Sequence, residues 1–329
     1  MKAHLVFCTV LVVLSSACAA QPAQVSFDVR LADGRTTFRV GERVTLQLAF
    51  RSMVDEKYFT PAMIVDERGG EFDCYRFEPS GPMGWSDPLA TYFKQDFLLQ
   101  GHGWLGRPLL KSKPAEASLD LNQWVRFDKP GDYTIKVTSH CVSSKSGGLY
   151  PLSNTITVHI IPATPEWQTE MLASIHTRLE RKQEQEAAVL DLRYLATPAA
   201  IDEMTASLRE DNYASRELRL GLFGLPESLR QVAIASMAKR IEEPNFPVSP
   251  RFFSTMSFLH VAPGSDKDSI QQQRAEYDPV LWMTIFSSLP GKEPETRTQT
   301  VQTLRRVGNN LHDSEIVEKM KTLEAPLEH

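Results

Sequence analysis

The chain has 329 residues, with 36 Lys and Arg against 41 Asp and Glu, for a formal net charge of −5. No block of basic residues stands out, which argues against a nucleic-acid partner. The N-terminal apolar run is too short to cross a bilayer as a helix, no later segment approaches the required length, and the chain is long enough for two domains with proper cores.

The chain opens MKAHLVFCTVLVVLSSACAAQPAQ. Lys2 supplies a positive start, Leu5 to Leu14 form a short apolar run, and Ala17-Cys18-Ala19 fits a small-residue cleavage site. This reads as a secretory signal peptide over residues 1–20, so the expected location is exported: periplasmic or secreted. A lipoprotein tethered to a membrane through Cys18 is the alternative, although Ser15 stands where such signals carry an aliphatic residue. Losing the leader removes Lys2 and no acid, leaving 35 basic and 41 acidic residues and a net of −6.

Processing also leaves two cysteines, Cys74 and Cys141. In an exported chain such a pair reads as a disulfide, and the long loop it closes is worth on the order of 4 kcal/mol in the chain-entropy model. The competing reading makes Cys141 a nucleophile beside His140. Adjacent strand residues point to opposite faces, so His140 is badly placed to activate it.

From Val25 to Ile161 the pattern has period two. Phe27, Val29 and Leu31 alternate with polar residues before an Asp33-Gly34 turn, and Val44, Leu46, Leu48 and Phe50 alternate after Gly41-Glu42. Leu119, Leu121, Val125 and Phe127 share a face of one further run. Tyr133, Ile135 and Val137 share another, as do Ile156, Val158 and Ile160. Alternation with one polar face predicts antiparallel strands in two packed sheets, not a parallel α/β sheet.

The segment RFDKPGDYTIKVTSHC (Arg126 to Cys141) places Asp128, Pro130 and Gly131 in a tight turn ahead of an alternating strand, and SNTITVHIIP supplies a closing strand. Gly131-Asp132-Tyr133 resembles the opening of a late strand in immunoglobulin-like domains. That resemblance covers the last third of the region and implies a β-sandwich but no activity. It departs from the antibody pattern because Cys141 lies eight residues after Tyr133, not two, which removes the usual support for that family's disulfide and tyrosine-corner hydrogen bond.

Residues 78–114 break the pattern. They are rich in Gly and Pro and carry Trp85, Tyr92, Phe93, Phe97, His102 and Trp104. Connections of this length are often functional, and the binding candidates are Trp85, Tyr92, His102 and Trp104. The other reading folds these aromatics back as a private small core.

After Pro162 the texture becomes helical. Thr164-Pro165-Glu166 combines a capping hydroxyl, a first-turn Pro and an acid; further starts are expected at Thr197-Pro198, Ser249-Pro250, Asp278-Pro279 and Asp313-Ser314. ERKQEQE (Glu180 to Glu186) has no apolar residue and is expected on the exposed side of a long helix, and DPVLWMTIFSSL reads as a buried helix. ATPEWQTEMLASI and ATPAAIDEMTASL match at an offset of 33 residues, the size of one helix-pair repeat. The region 163–324 resembles irregular HEAT or armadillo arrays; a compact bundle is the alternative. The expected fold class is therefore α+β multidomain: an N-terminal antiparallel immunoglobulin-like β-sandwich over 24–162 and a C-terminal all-α irregular helical repeat or bundle over 163–324.

Motifs for chemistry are missing. There is no G-x-S-x-G elbow, H-E-x-x-H pair, Walker loop, dinucleotide fingerprint or EF-hand loop. His176 and Glu180 share a helical face but make only two of the three or four ligands a zinc site needs, and Arg178 and Arg181 mark that face as solvated. His159 is expected to point outward, His260 to end a helix, His312 to precede a cap, and Asp66-Glu67 to occupy a hairpin tip. No catalytic residue, metal or cofactor is assigned. The reading that follows is a non-enzymatic binding or scaffold protein contacting another protein or a cell-envelope polymer. The alternatives are a hydrolase of peptides or glycans at the domain junction, and a secreted inhibitor or chaperone-like protein.

Overall fold

The computed structural model describes residues 24–60, 74–82, 84–94, 109–144 and 149–309, together with 316, 318 and 319. Antiparallel sheets form the N-terminal part and helices the C-terminal part. In the first sheet β3 (Thr45–Ser52) lies between β1 (Val25–Leu31) and β7 (Ala115–Asp120), antiparallel to both. The second is built on the long pair β9 (Gly131–Ser144) and β10 (Leu149–Ile161). β4 (Tyr58–Phe59) and β5 (Tyr75–Ser80) pair with β9, and β2 (Thr37–Arg39) runs parallel to β10.

The period-two faces meet in one core: Phe27, Leu46, Leu48 and Phe50 from the first sheet with Tyr133, Ile135, Val137 and Val158 from the second. Phe27 stands opposite Phe50 and stacks on it at 4.7 Å. The expected single run through Leu119, Leu121, Val125 and Phe127 is instead broken. β7 ends at Asp120, a 3-10 turn takes Leu121–Gln123, and β8 (Arg126–Phe127) pairs with β6 (Trp85–Ser86). Asn122 is the cause. Its Oδ1 accepts the Val44 N–H at 2.6 Å and its Nδ2 donates to the Glu42 carbonyl at 3.0 Å, so a side chain occupies backbone groups that a strand would have used.

The helices are α2 (Pro165–Leu179), α3 (Gln185–Tyr194), α4 (Pro198–Ala206), α5 (Tyr213–Phe223), α6 (Glu227–Glu242), α7 (Pro250–Leu259), α8 (Lys267–Ser288) and α9 (Pro294–Gly308), after a single turn α1 (Ala90–Phe93). Thr164, Thr197 and Ser249 cap as their local sequence predicts, each hydroxyl accepting an N–H three residues on. Two expectations fail. Glu180 to Glu184 form the turn between α2 and α3, so no single long helix carries ERKQEQE. Pro279 lies inside α8, whose cap is Asp266. Within DPVLWMTIFSSL, Leu281, Trp282 and Ile285 are buried, but Val280 faces out. The Asp313-Ser314 start, His312 and Asp66-Glu67 lie outside the described residues.

Buried cations close two helix ends. The Arg230 guanidinium donates to the carbonyls of Phe258, Leu259 and Val261, and Lys292 Nζ to those of Ile241, Glu243 and Phe246. These carbonyls sit at or just past helix C-termini, where no intrahelical partner remains. Gly221 serves packing: a Cβ there would stand 2.7 Å from the Arg193 carbonyl oxygen, so α5 can press against α3 only without a side chain.

Candidate functional site

Among the described residues, contacts of two different chemistries join the sheets to the helices. The first comes from the aromatic excursion. Leu89 and Tyr92 belong to the helical core, with Phe93 packed on it. The Tyr92 ring lies 4.8 Å from Phe223 and 5.6 Å from Phe258, and its hydroxyl accepts from Arg219 Nη2 at 3.2 Å. Burial pushes the Tyr92 phenol above its ordinary pKa, and the same burial lowers that of Arg219. Thr91 Oγ1 accepts the Gly264 N–H at 2.8 Å, and Arg126 Nη1 donates to the Gly224 carbonyl at 2.6 Å. Tyr92 is therefore a packing residue of the helical domain, not a surface ligand contact. Trp85, seven residues earlier on β6, is 42% exposed. His102 and Trp104 lie outside the described residues.

The second contact is polar. The turn between β2 and β3 presents Gly41, Glu42 and Arg43 to α2 and α3. Gly41 has φ +81°, and a Cβ there would lie 3.3 Å from the Tyr194 carbonyl oxygen, so both conformation and close approach call for glycine. Arg43 Nε donates to Asp120 Oδ1 at 2.8 Å, and its Nη1 lies 3.9 Å from Asp191 Oδ1 on α3. Asp120 also accepts from Thr45 Oγ1 at 2.9 Å, while Arg178 Nη1 donates to Asp191 at 2.7 Å. Burial works against the Arg43 cation, but Asp120 and Asp191 outweigh it and hold its pKa above the ordinary value. The Tyr194 phenol, 3.5 Å from Asp120, is driven upward by burial.

A cleft of about 240 Å³ opens along this seam. Its floor is Gly41, Glu42, Arg43 and Thr45; Trp167 and Met171, one helical turn apart on α2, make an apolar wall; Arg35 and Asp191 complete the rim. Arg35 binds Glu42 at 2.6 Å and Asp33 at 3.2 Å. Arg39 sits 5.7 Å from the centre of the Trp167 ring and donates to the Pro162 carbonyl, tethering that wall to the sheet domain. A smaller cavity of about 50 Å³ shares Gly41 and Glu42 and reaches back to Leu89, Arg193 and Gly221. Arg193 is buried with Glu217 at 2.8 Å, and its Nε and Nη2 have no hydrogen-bond partner among the described residues.

The sequence-nominated polar residues do not converge here. His176 pairs with Glu203 at 3.3 Å, not with Glu180; His159 pairs with Asp132 at 2.6 Å on the outer face, as its strand parity predicts; His260 stacks on Tyr277 at 3.6 Å at the end of α7. Among the described residues no cluster of three or more His, Cys, Asp or Glu could hold a metal ion. On α7 and α8, Arg274 donates to Ser257 Oγ, which donates in turn to Asp278. Ser257 is wholly buried, so this chain of bonds joins two helices and meets no substrate. Cys74 precedes β5, and its carbonyl accepts the His140 N–H at 2.8 Å, next to Cys141 in β9. The sequence gives Trp167 and Met171 helical spacing and no site role, and gives Arg43 and Asp191 none either. The signal that pointed to them was the glycine-acid-arginine turn, which is too short to be specific.

Fold and site together define a chain of antiparallel sheets followed by helices, with a cleft at their junction. It matches no protein-family model, and no curated protein matches it. No helix among the described residues is long and apolar enough to cross a membrane.

Proposed function

We propose that this chain is an exported, non-enzymatic binding protein whose junction cleft takes a segment of another protein. The observation that carries this reading is the cleft itself: one apolar wall of Trp167 and Met171 facing charges of both signs, Arg35 and Arg43 with Glu42 and Asp191. A peptide offers the matching set, an apolar side chain for the wall and backbone donors and acceptors for the floor. A glycan has less for the Met171 wall and fits second.

The sheet domain is read as immunoglobulin-like. Support comes from the first strand segments dividing between the sheets, β1 beside β3 and β2 parallel to β10, and from Tyr133 OH donating to the Lys129 carbonyl at 2.7 Å in the manner of a tyrosine corner. The helical domain is read as a HEAT-like array because α3 packs on α5, α5 on α7 and α7 on α9, while α4 packs on α6 and α6 on α8. A Cys74–Cys141 disulfide is part of the same reading. The β5–β9 pairing supports it, because it sets the Cys74 carbonyl on the His140 N–H, one residue from Cys141. A mature mass two daltons below the free-thiol value is the expected result.

The test is selection from a random peptide library, followed by affinity measurement on the intact protein. The expected outcome is a consensus with one bulky apolar residue, bound about tenfold or more weakly by Trp167→Ala, which corresponds to ~1.4 kcal/mol. No consensus, or equal affinity in Trp167→Ala, overturns the reading.

A further inference from the structure

The smaller cavity, which shares Gly41 and Glu42 with the cleft, holds donors that the fold does not use. Arg39, Arg126 and Arg193 line it against one carboxylate, that of Glu42. Glu42 is already engaged: its Oε1 accepts from Arg35 Nη1 at 2.6 Å, and its Oε2 accepts the Arg39 backbone N–H at 2.7 Å. Arg126 donates to Asp128 Oδ1 at 2.7 Å and to the Gly224 carbonyl, and Arg39 Nη1 donates to the Pro162 carbonyl. The acids paired with Arg126 and Arg193, Asp128 and Glu217, are not part of the lining, so the wall itself carries more cation than anion.

Arg193 on α3 gives this wall its chemistry. Its side chain is 2% exposed, and Glu217 on α5 takes only Nη1, at 2.8 Å. Nε and Nη2 are left without a partner among the described residues. Those two nitrogens form one edge of the planar guanidinium, with two parallel N–H bonds at the spacing of a carboxylate's two oxygens. Buried donors are nearly always paired, because an unpaired one keeps its full desolvation cost. Room beside Arg193 comes from Gly221 and Gly224, which bring no side chain to the lining; a Cβ on Gly221 would stand 3.1 Å from the Arg193 Cα. About 50 Å³ is open there. One water needs ~10–15 Å³, so the space suits a few waters or one small planar group.

We infer that this cavity is a carboxylate site, with the Nε–Nη2 edge of Arg193 as its two-pronged donor and Arg39 and Arg126 as supporting charges. Two sources share that chemistry: the C-terminus of a peptide in the adjoining cleft, and a free small acid. The first source rests on the peptide-binding reading; the site itself does not.

The experiment titrates acetate into the intact protein carrying isotope-labelled arginine, at constant ionic strength against chloride, with acetamide as the neutral isostere. The expected result is a saturable shift of one arginine Nε–H resonance with acetate and none with acetamide or chloride. Arg193→Lys keeps a cation beside Glu217 but loses the two-pronged edge; it should delete that resonance and weaken acetate binding about tenfold or more. No Nε–H response in the parent chain, or one that acetamide or chloride reproduces, overturns the inference whether or not the variant folds. So does unchanged acetate affinity in folded Arg193→Lys. Peptides selected on the cleft, compared as free acid and as C-terminal amide, separate the sources. Weaker binding of the amide assigns the carboxylate to the peptide's end, and equal binding with a retained acetate response assigns it to a separate acid. Failure of the Trp167→Ala test would defeat the cleft reading and leave the acetate response standing.

Discussion

The two junctions between sheets and helices make a useful pair. One is dry: Leu89, Tyr92 and Phe93 leave the sheet domain and complete the helical core against Phe223 and Phe258. The other is polar: Arg43 stands between Asp120 and Asp191 and leaves a cleft beside it. Apolar rings close their gap because every buried ångström contributes, whereas paired charges keep part of their hydration and need directional partners. The dry junction therefore holds the domains together, and the polar one leaves the cleft that we propose as the binding site.

Substitutions can break or sharpen this contrast. The largest effect is expected at the dry junction. Tyr92→Ala removes a buried ring and its bond to Arg219, and should cost ~3–5 kcal/mol in denaturant unfolding. Trp85→Ala, on the exposed part of the same excursion, should stay within ~0.5 kcal/mol. A comparable loss at both positions would mean that the excursion acts as one buried unit. A smaller cost is expected in the seam. Arg43→Ala deprives the buried Asp120 of its charged partner, and ~1.5–2 kcal/mol of unfolding free energy should go with it. Loss of Arg43 with no change in stability would show that the seam contributes nothing to domain docking.

The smallest effect concerns pH. Burial, and then the Arg230 charge, hold the His260 imidazole below its ordinary pKa of 6.5. As pH falls through that value the unfolded chain takes up the proton first, so stability declines on the acid side and is fully retained above it. Thermal melts at about pH 5 and pH 7.5 should differ less for His260→Gln than for the parent chain. Identical pH slopes would remove His260 from the account.

Much of this was legible in the sequence wherever structure is local. The caps at Thr164, Thr197 and Ser249 each need only a hydroxyl and the N–H three residues later, and the strand faces need only alternation. Asp278-Pro279 carries the same cap chemistry and misled. Its carboxyl is taken by Ser257 on α7, and the real cap, Asp266, lies a dozen residues earlier. Tyr92 and Trp85 were indistinguishable as sequence because what separates them is whether Phe223 and Phe258 arrive from the other domain. The cleft was illegible for the same reason. Arg43, Asp191 and Trp167 have no relation along the chain, and only the docking of two domains gives them one.

The central claim is that Leu89, Tyr92 and Phe93 are architecture and that the seam is the open site. Native-state hydrogen exchange followed by mass spectrometry tests it most directly. The account predicts that peptides covering residues 84–94 are protected as strongly as α5 and α7, and that peptides covering the Gly41–Thr45 floor exchange sooner. Rapid exchange across 84–94 while α5 and α7 remain protected would contradict it.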